Sequence, residues 1–595
     1  MKYASFFSTF ALVLLLIGCS SSQPAATGSS EGAEQNDTTM AQRDTTTQRN
    51  ETTRADTTSA TAETDDDQAA SSDATAQDDA TSLTTAPQDW YHLGEEPRHG
   101  PGLATRTAYE TVLDGQTPRD TVIVAIIDSG IDVDHEDLSS TTWTNADEVP
   151  GNGKDDDGNG YVDDVRGWNF IGGPDGKNVD QDTYELTRIY VDLREQFAEV
   201  DSAEVTAENR DAYQRFQTIR QTFREKRQQA KKELTNVRKA RDAVEFSEKV
   251  LTNHLGTDTL SRAAIDTISA SDQNVTRARD ILLYFYRQDL SPGDIYEYYD
   301  HLKRKVEYNY NPDFNPRSIV GDDYSDKTER GYGNNDVTGP DADHGTHVGG
   351  IVAAARNNGV GVDGVANGVR IMSVRAVPNG DERDKDVANA IRYAANNGAD
   401  VINMSFGKSY SPHKDVVDAA VRHADSLGVL MVHAAGNDGA NVDSTDNYPT
   451  RRYRDGGSAD LWIEVGASSW EGTPNLAAPF SNYGDETVDV FAPGHSIYST
   501  VPGDAYERND GTSMAAPMVS GVAALIMAYY PALSTRQVRE IILDTATSYA
   551  DVEVTRPGGS KTVPFGQLSR TGGIVNAHAA LKRAEQMSAA ETSSR

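Results

Sequence analysis

Cysteine is almost missing from this chain of 595 residues, which carries only Cys19. One thiol cannot close an intrachain disulfide, so the fold has to rest on apolar burial and polar contacts. Basic residues are also in short supply, with 55 Lys and Arg against 92 Asp and Glu and a net charge of −37. A surface of that sign repels phosphate backbones and speaks against nucleic acid as a partner. It suits an extracellular or high-salt setting, where screening relieves self-repulsion. After Ile17 no stretch reads as apolar enough to span a membrane. Large apolar side chains nearly vanish between Ser20 and Ala86, so 20–86 is expected to be a disordered, acidic, Ser/Thr-rich tether. Glycine is nearly absent between 177 and 255. There, charged and Gln-rich sequence with spaced apolar residues (Leu186, Ile189, Leu193, Phe197, then Phe216, Ile219, Phe223) predicts long amphipathic helices.

What the chain does have is a serine in a distinctive frame. Gly511-Thr512-Ser513-Met514-Ala515-Ala516-Pro517 opens a long apolar run of helical period through Ile526. This puts the Ser513 hydroxyl at a helix N-terminus, where free N–H groups and the dipole favour negative charge. A serine hydroxyl becomes a good nucleophile only when a base takes its proton. Asp343-His344-Gly345-Thr346-His347 heads a second helical run and offers that base. Val122 to Ile127 is continuously apolar, as in a buried parallel strand, and ends in Asp128-Ser129-Gly130. Asp128 therefore lies at a strand's C-terminal edge, where open α/β sheets place their sites.

Together these blocks resemble the subtilisin-like serine peptidases, the subtilases, whose triad runs in the order Asp, His, Ser. Two further blocks carry the likeness: Val432-His433-Ala434-Ala435-Gly436-Asn437 and Val401-Ile402-Asn403-Met404-Ser405-Phe406-Gly407. The resemblance implies that Ser513 is the nucleophile, His344 the general base and acid, and Asp128 its orienting carboxylate. Asn437 would be the side-chain oxyanion donor. His347, one turn beyond His344, is expected to be packed or hydrogen-bonded. Ser405, Phe406 and Gly407 on one side, and Ala434, Ala435 and Gly436 on the other, would wall the substrate cleft. An extended peptide would pair with these backbones.

Strand and helix signals alternate from Val369 onward, which means βαβ units and a mostly parallel sheet covered by helices. The implied fold is a subtilisin-like three-layer α/β/α domain with an inserted α-helical region. The expected organisation runs from a leader at 1–19 and the tether at 20–86 to an N-terminal arm at 87–121. The first catalytic part is 122–179, the helical insertion 180–310, the second catalytic part 311–585, and 586–595 a polar tail. Cys19 closes a short apolar run after Lys2 and resembles a bacterial lipoprotein cleavage box, which implies lipidation of its thiol. The protein would then be exported and lipid-anchored at the cell envelope or surface, its partners would be peptide or protein substrates, and the chain is expected to be monomeric.

No cofactor is expected for the chemistry. Lys154 to Asp164 does resemble a calcium loop, with Asp155, Asp157 and Asn159 at the first, third and fifth positions and Asp163 at the ninth. Tyr161 completes the expected ligand set for a structural Ca²⁺. Arg166 at the twelfth position departs from an EF-hand. Two rival functions share the same fold: a silent surface adhesin or scaffold, and a processing protease dedicated to one partner docked on the helices.

Overall fold

A computed structural model describes residues 85–94, 99–269, 271–288 and 290–594. The expected leader, Cys19 and nearly all of the tether lie outside the described residues.

The chain enters along a short arm. Trp90 and Tyr91 are fully buried, and the helix α1 (Thr105–Thr111) follows. Trp90 Nε1 donates to Ser496 O, Tyr91 OH to Tyr498 O, and Ala577 N to Leu103 O. These contacts lace the arm to distant parts of the domain.

Strands β1 (Val122–Asp128) and β2 (Gly167–Asn169) come next. A helical segment follows: α2 (Glu185–Phe197), α3 (Arg210–Leu255), α4 (Arg262–Asp266), α5 (Gln273–Tyr286) and α6 (Pro292–Arg304). The 46 residues of α3 span about 69 Å at 1.5 Å per residue. α5 and α6 pack along α3, and α2 packs on it as well. The buried stripe Phe216, Ile219, Phe223, Ala230, Leu234, Val237 keeps the helical spacing that the sequence displays. Tyr190 of α2 stacks on Phe223 at 4.2 Å between centroids. Gly256 ends α3 in the left-handed conformation (φ 66°), and Ser291 with Asp294 forms a capping box on α6.

The α/β order then runs α7 (Asp343–Ala353), β3 (Val369–Arg375), α8 (Asp384–Asn396), β4 (Val401–Met404), α9 (Lys414–Ser426), β5 (Leu430–Ala434), β6 (Trp462–Ser468) and β7 (Val490–Pro493). A hairpin, β8 (Ile497–Val501) and β9 (Ala505–Asn509), precedes α10 (Thr512–Tyr529) and α11 (Thr535–Asp544). Short strands β10 (Thr547–Ser548), β11 (Glu553–Thr555), β12 (Thr562–Pro564) and β13 (Gly573–Ile574) lead to α12 (Ala577–Ser594). The main sheet has the order β10-β13-β7-β6-β5-β4-β1-β3-β2. All neighbours in it are parallel except β10 and β13.

One apolar cluster joins the sheet to α7, α10, α11 and α12, and another joins its opposite face to α8 and α9. α10 is long and apolar enough to cross a membrane, contrary to the expectation from composition, but it is 94% buried as the central core helix. The switch in strand order falls at β1, which pairs with β3 on one side and β4 on the other. Open α/β sheets place their ligand sites outside the C-terminal strand ends at such a switch.

Candidate active site

Asp128 is the last residue of β1 and is only 2% exposed. Its Oδ1 accepts from Ser129 N at 2.7 Å and from Nδ1 of His344 at 2.7 Å. His344 stands in the first turn of α7, and its side chain is 41% exposed. Gly345 makes this approach possible, because a Cβ there would lie 2.1 Å from Gly130 O and 3.2 Å from Asp128 Cβ. Burial opposes the imidazolium form, but the charge of Asp128 and its hydrogen bond outweigh it, so the His344 pKa lies above the ordinary 6.5. His347 is fully buried and donates from Nε2 toward Ile497 O and Glu507 O; burial pushes its pKa down to about 3. It is a neutral structural group.

Ser513 lies in the first turn of α10, where N–H groups have no intrahelical acceptor. Its Oγ donates to Ser405 O at 3.0 Å, and Ser405 Oγ donates back to Ser513 O at 2.9 Å. Ile127 is opposite Met404 in the β1–β4 ladder, so Asp128 and Ser405 follow each other's register on strands about 4.8 Å apart. The histidine bonded to one and the serine bonded to the other are thereby held at neighbouring strand ends. Ser513 Oγ points to Ser405 rather than to His344 here. Catalytic hydrogen bonds of this type often tighten only when substrate is bound.

Asn437 follows the end of β5. Its Oδ1 accepts from Thr512 N at 2.8 Å and Thr512 Oγ1 at 2.9 Å, so its amide group is fixed beside the serine turn. Its Nδ2 makes no hydrogen bond among the described residues and is left as a donor. Gly436 N donates to Thr512 Oγ1, which ties the second wall to the same turn. Gly436 has a positive φ of 97°, and a Cβ there would also lie 2.5 Å from Asn482 Nδ2, so both backbone and space favour glycine.

Ser405, Phe406 and Gly407 extend from β4, and Ala434, Ala435 and Gly436 from β5, an adjacent strand. Between them the structure places residues that the motifs did not reveal. Asn447 donates to Ala434 O at 3.1 Å, and its amide would collide with a Cβ on Gly407. It therefore closes the space between the two walls. Nothing near it in the sequence signalled that position. His433, fully buried, bridges Phe406 O and Glu464 Oε1 at 2.9 Å each. Asn403 donates to Ser405 Oγ and accepts from Ser520 Oγ, bracing the serine turn from beneath. A polar residue inside the apolar run 401–404 was the available signal for it.

The acidic loop does not gather as its spacing predicts. Asp155 accepts from the amides of Asn159 and Gly160, Asp163 from those of Asn152 and Gly153, and Asn159 Oδ1 from Tyr161 N. Tyr161 turns its ring into an aromatic cluster with Trp168, Phe170 and Tyr393. The Asn159 amide donates to Asp157 Oδ2 and Asp164 Oδ2, and of the expected carboxylates Asp157 joins the group that does converge. Its partners are Glu148 and Asp164, with oxygens within 4.8 Å of one another. Burial raises the Asp164 pKa, and Glu148 Oε2 is buried without a hydrogen-bond partner. Three converging carboxylates with an orphaned oxygen form a group able to hold a hard cation.

The Subtilase family profile matches residues 119–563. This chain belongs to the subtilase family. Among curated proteins it is 40% identical over 243 residues to the thermophilic serine proteinase of Bacillus sp. (strain AK1), a match covering 40% of this chain and 54% of that protein. It is 40% identical over 210 residues to subtilisin DY of Bacillus licheniformis, covering 35% and 72% of the two. The chain thus spans about half the length of the first of these relatives. A solved protease structure from Pseudoalteromonas arctica PAMC 21717 aligns at a TM-score of 0.33 with 31% identity, over 42% of this chain and 78% of that one.

Proposed function

We propose that this subtilase is a serine endopeptidase that cleaves peptide bonds through an acyl-enzyme. The observation that carries this reading is the convergence of the Asp128–His344 pair, the Ser513 turn and the Asn437 amide at neighbouring strand ends.

His344 Nε2 takes the proton of Ser513 Oγ as the oxygen attacks the scissile carbonyl. Asp128 accepts the Nδ1 proton, which holds the tautomer and stabilises the imidazolium. The oxyanion is met by Asn437 Nδ2 and Ser513 N–H. His344 then protonates the leaving amine, and water reverses the sequence to release the acyl group. Extended substrate pairs with the backbones at 405–407 and 434–436.

Export with a lipid anchor at Cys19 is part of the same proposal, and the signal-like shape of residues 6–17 supports it. A structural Ca²⁺ would sit on Glu148, Asp157 and Asp164, contributing charge neutralisation away from the chemistry.

The test is labelling with a fluorophosphonate and cleavage of an unfolded protein, using the chain with Ser513→Ala and His344→Ala as controls. Labelling and cleavage that disappear in both variants support the reading. A folded protein that shows neither overturns it.

A further inference from the structure

A cavity of about 530 Å³ lies where the helical segment meets the α/β domain, well within the size of small-molecule sites. Its walls come from α2, from Arg215 of α3, from the loop 312–327 and from Pro412 and His413 ahead of α9. Its lining includes the apolar side chains of Ile189, Leu193, Pro312 and Phe314. It also includes the charged side chains of Arg188, Arg215, Lys327 and Arg383, together with Glu185 and Asp192.

Part of this charge is already matched. Arg383 pairs with Asp182 at 2.8 Å, and Arg188 with Glu185 at 2.7 Å, while Glu185 also holds Lys408. Lys327 and Arg215 are not matched in this way. Among the described residues Lys327 bonds only to Tyr324 O, and it rests on the Tyr324 ring, 3.3 Å from its centroid. Among the described residues the solvent-exposed Arg215 side chain has no hydrogen-bond or ion-pair partner, and neither do the Tyr324 hydroxyl and the His413 ring. The Arg188 Nε is buried without an acceptor. Burial, with Lys385, Arg317 and Arg383 nearby, outweighs the charge of Asp386 and brings the Lys327 pKa down to about 8. In a chain of net charge −37, a cavity lined by Arg188, Arg215, Lys327 and Arg383 against only Glu185 and Asp192 is a local reversal of sign.

We propose that this cavity binds a small carboxylate with an apolar body, its charge on Lys327 and Arg215 and its body against Leu193 and Phe314. Tyr324 OH and His413 supply neutral hydrogen bonds to the same end. The site is separate from the Ser513 turn, and the inference does not depend on the proposed catalysis.

The test uses the full chain carrying Ser513→Ala, so that self-cleavage cannot confuse the readout. 4-Phenylbutyrate, its neutral amide and inorganic phosphate are titrated by calorimetry. The carboxylate is expected to bind at least about tenfold more tightly than either control, a difference of about 1.4 kcal/mol. Lys327→Met should weaken it by a similar factor, and Leu193→Trp should abolish binding by filling the space beside the apolar residues while leaving every charge in place. Unaltered melting temperatures would show that both variants fold. No carboxylate binding, equal affinity for the amide, or full affinity in a folded Lys327→Met or Leu193→Trp variant would overturn the proposal.

Discussion

Asn437 shows how much of the site depends on single atoms. Its Oδ1 is spent on Thr512, so the amide has one orientation and its Nδ2 faces the serine turn. Asn437→Ala is expected to lower kcat by about 10²–10³ with little change in KM, because the donor acts on charge that exists only in the transition state. Equal losses in kcat and 1/KM would argue against that role. For His344 the sign of the pH dependence follows from Asp128. The base must be neutral to accept a proton, and its pKa is raised above 6.5, so activity falls as pH drops through that raised value. The acid limb of kcat/KM should have its midpoint above 6.5 and move down in Asp128→Asn. His347 stays neutral down to about pH 3 and adds no limb of its own. Much of this was legible beforehand. The motif residues are contiguous in sequence and each occupies a strand end or a helix start, which periodicity reveals. Asn447 was not legible, since it reaches the walls only because its own loop folds back across them.

Among the elements, α10 differs most from what composition suggests. α10 has the length and apolarity of a membrane span, yet nearly all of it is buried. Only its packing against the sheet and its helix neighbours separates the two readings. The helical segment is joined to the substrate walls through charge. Lys408, next after Gly407 and 2% exposed, bonds Glu185 of α2 at 3.0 Å, Asp384 at 2.8 Å and Glu382 O at 2.6 Å. Lys408→Met would leave Asp384 buried without its ammonium, and removing one partner of such a buried group costs about 3–5 kcal/mol. A correspondingly lower unfolding free energy is expected by denaturant titration, with KM raised because the 405–408 wall loses its anchor. Wild-type stability in this variant would mean that the ion pair is dispensable. Amphipathic spacing announced these helices, whereas the partners of their charged residues lie far away in sequence.

For the whole molecule, the net charge of −37 makes self-repulsion a general cost that salt screens. The melting temperature should rise on adding NaCl, and a flat response would show that the carboxylates are already compensated locally. Chelation makes a separate prediction. If Glu148, Asp157 and Asp164 hold Ca²⁺, EDTA should lower the melting temperature, and Asp157→Asn should remove that sensitivity. An unchanged melt in EDTA would exclude the metal. Spacing alone picked a five-member ligand set from the loop. The fold instead used Asp155 and Asp163 to cap neighbouring amides and brought in Glu148 from upstream, with Asp164 in place of its neighbour Asp163.

The sequence by itself determined the parallel sheet, the order of the three key motifs, the long helices and the dominance of negative charge. Each of these is written in local periodicity, in short motifs or in simple composition. Only the tertiary structure decided which carboxylates converge, what closes the space between the walls, where Lys408 finds its counter-charges and where cations line a cavity. Those outcomes depend on side chains many residues apart meeting in low-dielectric surroundings, where an unpaired polar group is costly. No local pattern records which partner each will find.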